Sequence, residues 1–306
     1  NPKKFINPLP TSAGVWAGCN VLCCCSGKGQ EETASALSVY LENHQPKIVL
    51  LCGIAGGFPD EGVHRGDVVV AHTIHSFDYG KLEEGFKRRP ENDYNFDRQL
   101  LSIAEVVHTR EGWKSRIKEQ APQGKMSALA AHVDCYVASS NKVIDDPENT
   151  YYLEAKKLFP EIHAVEMEAI GAAASVRLAQ ADRTLKLLMV RGISDEVGSA
   201  GGSSERRKWK SYATDTAAAF VEEMLIELSE SNYFHETQQQ NSKSTDSAQI
   251  IEPLFEGFEE TALSSISRCL KGQGGHGLST FNRALDVARN ASNEASKGRE
   301  ARAVAE

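Results

Sequence analysis

The chain has 306 residues, 41% of them hydrophobic, enough for one large domain with an appendage. Its formal net charge of −8, spread in both signs, lacks the clustered Lys and Arg that coat nucleic acid and reads as a solvated surface. No run approaches the roughly 18 apolar residues that cross a bilayer, and no basic segment with an apolar core opens the chain, so the expectation is a cytoplasmic protein that binds neither membrane nor nucleic acid.

The chain opens at Asn1 without Met and is read as a piece of a longer protein. From about Val15 to Glu230, apolar strands alternate with helices. Val21–Cys25 reads as a short strand, and Gly27-Lys28-Gly29 turns into a helix from about Glu31 to Asn43. Lys47–Leu51 is apolar throughout, as in a strand buried on both faces, and runs into Gly53-Ile54-Ala55-Gly56-Gly57. Gly66-Asp67 introduces a strand at Val68–Thr73, followed by an irregular polar loop to about Asp93. Helices are expected at Phe96–Val107, Glu168–Leu178 and Trp209–Leu228, and strands at Cys135–Ser139, up to Ala164–Val165, and at Leu185–Arg191. This alternation predicts a three-layer α/β/α domain around a mixed central sheet, spanning residues 1–230. Residues 231–249 are expected to be a linker, and 250–306 a small helical tail of two helices, Ile250–Leu270 and Phe281–Ala305. Such a tail builds little core, and is expected to dock on a partner, on the main domain or on itself.

Seven cysteines, with no CxxC pair, fit neither a disulfide framework nor a zinc site. Cys23-Cys24-Cys25 reads as small buried hydrophobes in a reducing compartment. His72 and His75 have no third ligand in view and read as strand-end histidines, so neither metal nor cofactor is expected.

Two acidic groups stand out, each after an apolar strand. Glu168 opens a helix, where a carboxylate can accept hydrogen bonds from two adjacent hydroxyls; a helix-start acid facing the dipole is the alternative. Glu166, two residues earlier, fits a sugar contact or a salt-bridge partner, and Met167 between them suits an apolar sugar face or core filling. Asp195 ends Arg191-Gly192-Ile193-Ser194-Asp195 at the carboxyl edge, where α/β sheets bind ligands. A carboxyl there can protonate a purine N7 and make the base a better leaving group, or simply begin a turn. Arg191, a charge ending an apolar strand, requires a partner: a site carboxylate or a ligand oxygen. The glycines of Gly53–Gly57 allow close backbone approach to a ligand or serve the turn alone, and the Gly27–Gly29 turn before a helix suits an anion or a sugar oxygen.

The sequences SGKGQ, GIAGG, AVEMEA and RGISD, in this order over about Val15 to Leu228, resemble the purine nucleoside and uridine phosphorylase superfamily, most closely the methylthioadenosine/S-adenosylhomocysteine nucleosidases and related adenine-nucleotide nucleosidases. The resemblance implies N-glycosidic cleavage of an adenine nucleoside or nucleotide. Glu168 would hold the ribose 2′- and 3′-hydroxyls, Met167 would line the sugar, and Asp195, supported by Ser194, would be the general acid. Val143 and Ile144 would form the base platform, and Gly53, Ile54, Ala55 and Gly56 the turn against the ligand. It also implies a homo-oligomer.

Two departures qualify it. Where hexameric phosphorylases carry an Arg and a phosphate-binding Ser, this chain has Leu51 and Ile54, which cannot hold a phosphate dianion, so hydrolysis is favoured over phosphorolysis. The first strand of the family, bearing a water-positioning Glu, has no counterpart before Val15. Either an upstream segment supplies it, or the sheet carries an unpaired edge. The polar loop around Lys81 and Lys87-Arg88-Arg89 reads as a solvated basic loop or as a set of phosphate contacts.

Overall fold

The computed structural model describes residues 11–82, 86–89, 92–122, 128–142, 153, 156–180, 184–198, 202–231 and 250–255. The chain starts with a hairpin of β1 (Thr11–Trp16) and β2 (Cys19–Cys25), which the sequence reading placed only in part. Its two-residue turn, Ala17-Gly18, has positive φ at both positions (48° and 79°), the backbone that matches the right-handed twist of paired strands. Next come α1 (Gly29–His44), β3 (Ile48–Gly57), β4 (Val68–Ser76) and a small hairpin of β5 (Gly80–Leu82) and β6 (Phe86–Arg88). This hairpin occupies part of the expected irregular loop. The order continues with β7 (Tyr94–Asn95), α2 (Arg98–Arg110), β8 (Ala131–Ser139), β9 (Ile162–Glu166), α3 (Ala169–Gln180), β10 (Lys186–Glu196), α4 (Gly202–Glu230) and β11 (Ile250–Phe255).

Helix boundaries follow from local chemistry. Asp97 caps α2 by accepting from the N–H groups of Gln99 and Leu100, both at 3.0 Å. Glu31 and Glu32 place negative charge in the first turn of α1, and the Glu32 carboxylate also accepts the Lys28 N–H at 2.9 Å.

The central sheet is mixed, in the order β1-β2-β11-β3-β10-β4-β8-β9. β10 runs parallel to β3 and antiparallel to β4; β8 is parallel to β4, and β9 to β8. The sheet curls until β9 returns to β3, pairing antiparallel through Gly56↔Val165 and Gly57↔Ala164. The closure brings the carboxyl ends of β3 and β9 together. β3, β4 and β10 are buried along nearly their whole length, as strands covered on both faces must be. Helices flank the sheet as two packed groups, α1 with α3, and α4 with α2 and the strands β3 and β10. The expected three-layer architecture is the one observed.

The tail differs from expectation. Ile250–Phe255, read from sequence as the start of a helix, is a strand inserted between β2 and β3 and parallel to both. Adjacent Ile250 and Ile251 favour extended backbone, and Pro253 cannot sit inside a helix. Pairing with β2 lapses at Glu252 and Pro253, where the proline has no N–H to give, while β3 pairs throughout Ile251–Phe255. The edges of β2 and β3 are therefore both paired at this place. The expected linker and the remainder of the tail lie outside the described residues, apart from Ser231. Among the described residues Cys24 is buried as expected, while Cys23 and Cys25 are half-buried. No helix among the described residues is long and apolar enough to cross a membrane.

Candidate active site

The turn from β9 into α3 is organised by Glu166. Its buried carboxylate accepts from the N–H groups of Glu168 (2.9 Å) and Ala169 (2.9 and 3.1 Å), satisfying donors that a helix start leaves open. The same carboxylate accepts from Arg191 Nη2 at 2.6 Å, and both side chains are fully inaccessible to solvent. Burial pushes the Glu166 carboxyl up, against the opposing pull of Arg191. Of the partners foreseen for Arg191, the structure supplies the site carboxylate. Arg191 is not in the wall of the ligand cavity but behind it, so its expected role as a ligand contact is corrected to that of a buried counter-ion.

Gly53 is corrected in the same way. It does not line the cavity, and a Cβ at this position would come within 1.9 Å of Arg191 Nη1. The glycine is there to make room for the guanidinium rather than to approach a ligand.

Glu168 is held on two sides. Its Oε1 accepts the Gly29 N–H at 3.1 Å, and its Oε2 lies 3.6 Å from Arg191 Nη2. Gly29, at the start of α1, has φ of +79°, a backbone that a side chain rarely adopts. The Gly27–Gly29 turn thus reaches across the site to the carboxylate opposite.

Asp195 is presented by an irregularity. β10 pairs with β3 as Ile193↔Ala55 and then as Asp195↔Gly56, so Ser194 is an extra residue that re-aims the strand end. Ser194 Oγ donates to Asp195 Oδ1 at 2.6 Å. Arg206 of α4 grips the carboxylate with both arms, Nε to Oδ1 at 3.1 Å and Nη2 to Oδ2 at 3.0 Å. Oδ2 lies over Gly56, where a Cβ would stand 3.4 Å from it.

One cavity of about 320 Å³ collects these groups. Glu166, Met167, Glu168, Ser194, Asp195, Ile54, Ala55 and Gly56 all line it, with Val165 and Val197. The two carboxylates singled out from sequence therefore face the same hollow. Val143 and Ile144 lie outside the described residues. Leu51 is wholly buried and Ile54 is in the wall, so neither of these aliphatic positions offers a phosphate a donor. Lys81, Lys87 and Arg89 are exposed, and none of them lines the cavity. No cluster of metal-ligating side chains occurs among the described residues. His75 donates through Nδ1 to Asp93 Oδ2 at 2.8 Å and stacks on Tyr136 and Phe159.

Three cations of the wall escaped the sequence reading, Lys142, Arg206 and Lys210, while the fourth, Lys28, lies in the Gly27–Gly29 turn that was read as suited to an anion or a sugar oxygen. A signal existed for two of them. Arg206 and Lys210 are four apart on a helix, hence on one face, and that helix leads directly from the Asp195 motif.

A model of the phosphorylase superfamily matches residues 3–226. A 5′-methylthioadenosine/S-adenosylhomocysteine nucleosidase of Maridesulfovibrio salexigens is 26% identical over 206 residues, covering 66% of this chain and 79% of its own length. That of a Geobacillus species is 25% identical over 226 residues, covering 71% and 83%. Among solved structures, the Neisseria meningitidis nucleosidase in complex with methylthio-immucillin-A superposes with a TM-score of 0.58 at 19% identity, over 72% of this chain and 87% of that one. Helicobacter pylori futalosine hydrolase gives 0.58 at 17% identity, over 73% and 87%.

Proposed function

The chain belongs to the phosphorylase superfamily, and from that premise we propose that it is an N-ribosyl hydrolase that cleaves the glycosidic bond of an adenine nucleoside or nucleotide. The observation that carries the proposal is the shared cavity of Glu168 and Asp195. The named relatives are nucleosidases, which is the same chemistry.

Glu168 holds the 2′- and 3′-hydroxyls of the sugar, since a carboxylate can accept from both at once. Asp195 gives a proton to N7 of the base. Oδ1 accepts from both Ser194 and Arg206 Nε; Oδ2, which accepts from Arg206 Nη2 and lies over Gly56, is the oxygen that meets the base. Protonation draws electrons from the glycosidic bond, positive charge develops on the sugar ring, and water completes the displacement. Met167 and Ile54 supply apolar wall, and the Glu166–Arg191 pair fixes the turn that carries Glu168.

The test is release of free adenine from adenosine and adenosine 5′-monophosphate, with and without inorganic phosphate. Release without phosphate is expected. Asp195→Asn removes the acid and is expected to lower the rate about 10²–10⁴-fold, and Glu168→Gln to weaken both binding and turnover. A strict requirement for phosphate would replace hydrolysis by phosphorolysis, a reading that the four cations of the cavity wall keep open. Binding of adenine nucleosides without any product would make the domain a sensor.

A further inference from the structure

We propose that Arg65, which lies outside the cavity, is a positioning residue for the reaction: it ties the strand end that presents Asp195 to the helix turn that presents Arg206, and so sets the aim of the general acid. The inference deepens the hydrolase reading above and rests on it. Asp195 and Arg206 meet in the cavity wall, with both arms of the guanidinium on the carboxylate at 3.1 and 3.0 Å. Arg65 repeats that connection one residue along on each side. Its Nη1 donates to Glu205 Oε2 at 2.6 Å, and its Nε lies 3.6 Å from Glu196 Oε1. Glu196 follows Asp195 on β10, and Glu205 precedes Arg206 on α4. Arg65, Glu196 and Glu205 all stand behind the wall rather than in it.

This strut is anchored at both ends. Arg65 belongs to a turn that β10 holds through its backbone: Gly66 donates its N–H to the Ile193 carbonyl at 2.7 Å, and Ile193 donates its N–H to the Asp67 carbonyl at 2.8 Å. The Asp67 carboxylate closes the turn, accepting the N–H groups of His64 and Ala130, both at 3.0 Å. His64 adds a second contact to Glu196, Nδ1 to Oε1 at 3.3 Å. On the helix side, the guanidinium carbon of Arg65 lies 5.6 Å from the centre of the Trp209 ring, and Trp209 is buried. Glu205 and Trp209 are four apart, hence on one face of α4, and Arg65 touches both.

A two-armed grip is sensitive to where its helix starts. The Arg206 bonds leave hydrogen-bonding range once the donor shifts by about 0.5 Å, and a misplacement of about 1 Å in a catalytic constellation can cost a factor of about 10² in rate. Stability depends on Arg65 far less. The side chains of Arg65 and Glu205 are 29% and 24% exposed, and ion pairs that water reaches contribute little to folding. The contact therefore matters more to the geometry of the acid than to the fold, and the two effects can be measured apart.

The experiment measures kcat and KM for adenine release from adenosine and adenosine 5′-monophosphate, with the melting temperature of each protein. It uses the full chain, Arg65→Ala, Arg65→Lys, Glu205→Ala, Asp195→Asn and the double variant Arg65→Ala/Asp195→Asn. Arg65→Ala is expected to lower kcat roughly 10–100-fold with KM nearly unchanged, since the sugar contacts stay while the acid loses its aim. Its melting temperature should fall by no more than about 5 °C. Glu205→Ala should lower kcat in the same way, and Arg65→Lys, which keeps the charge but reaches one carboxylate at a time, should recover part of the rate. The double variant decides how Arg65 acts. Once the acid is gone, Arg65→Ala should lower kcat by less than about 2-fold further. An equal loss in both backgrounds, or a wild-type kcat that Arg65→Ala leaves unmoved, overturns the proposal while the hydrolase reading stands. A loss that appears in KM alone, or only together with a larger fall in melting temperature, overturns it too, by making Arg65 a part of the fold. If the unaltered chain releases no adenine, the hydrolase reading fails and this proposal falls with it.

Discussion

Replacing Glu166 by Gln tests whether the buried ion pair, rather than the motif as such, holds the active-site turn. The wild-type carboxylate takes four contacts, from Arg191 Nη2, the Glu168 N–H and, through both oxygens, the Ala169 N–H. Gln keeps one acceptor oxygen and turns the other into an NH₂ group. Whichever way the amide is flipped, a donor faces a donor, either at Arg191 or at the start of α3. Both side chains are wholly buried, so the guanidinium charge has no water to fall back on. Removing one partner of such a pair costs about 3–5 kcal/mol. For a domain of this size each kcal/mol is worth about 2–4 °C, so the melting temperature should fall by about 6–20 °C. Activity adds a second signature. Arg191 Nη2 already lies 3.6 Å from Glu168, and once released it turns toward that carboxylate and competes with the sugar hydroxyls. KM should rise more than stability loss explains when assayed well below the melting temperature. Adding Arg191→Met to the variant removes the orphaned charge and should restore part of the melting temperature. Calorimetric melting and steady-state kinetics on the three proteins suffice. A Glu166→Gln protein that melts within about 2 °C of wild type, with unchanged KM, would refute the reasoning.

Gly53→Ala places a Cβ 1.9 Å from Arg191 Nη1; displacing a fully buried guanidinium should cost about 1–3 kcal/mol, read as a lower denaturant midpoint, and an unchanged midpoint would show that Arg191 can move freely. Glu222 bears on pH: burial raises its carboxyl above 4.5, outweighing Arg116 and Lys118. A raised folded value means that its contribution is fully present below the ordinary carboxylate range and declines as pH rises through the shifted value. The melting temperature of wild type minus that of Glu222→Gln should therefore fall as pH is raised across that window, and a difference that grows instead would reverse the assignment. Ending the chain after Ser231 removes β11 and leaves the facing edges of β2 and β3 unpaired. Lower melting and association on size-exclusion chromatography are expected, and a truncated chain that is monodisperse and melts like the full chain would show that β11 contributes nothing to the sheet.

What the sequence made legible was local. Continuous apolar runs marked β3 and β10 because both are covered on two faces. The carboxylates of the site were legible because each ends a strand run, and Glu166 was open as a salt-bridge partner from the start. What stayed hidden depends on distant pairing. Ile250, Ile251, Leu254 and Phe255 fit a helical stripe as well as a strand, and only the vacancy between β2 and β3, more than 190 residues away along the chain, decides between them. Arg206 was only half legible: its spacing to Lys210 marks one helix face, but the fold alone turns that face back on Asp195. That contact changes the chemistry to be expected of the site. Oδ2 accepts from Arg206 Nη2 through one of its lone pairs and keeps another for the proton that the base is to receive, so Arg206 positions the acid without displacing it. Glu168 works as an acceptor throughout, held by the Gly29 N–H, and its nearby arginine is shared with Glu166. The two carboxylates therefore differ in how they are supported: Glu168 rests on a turn across the site and a buried ion pair, and Asp195 on a helix that follows it in the chain.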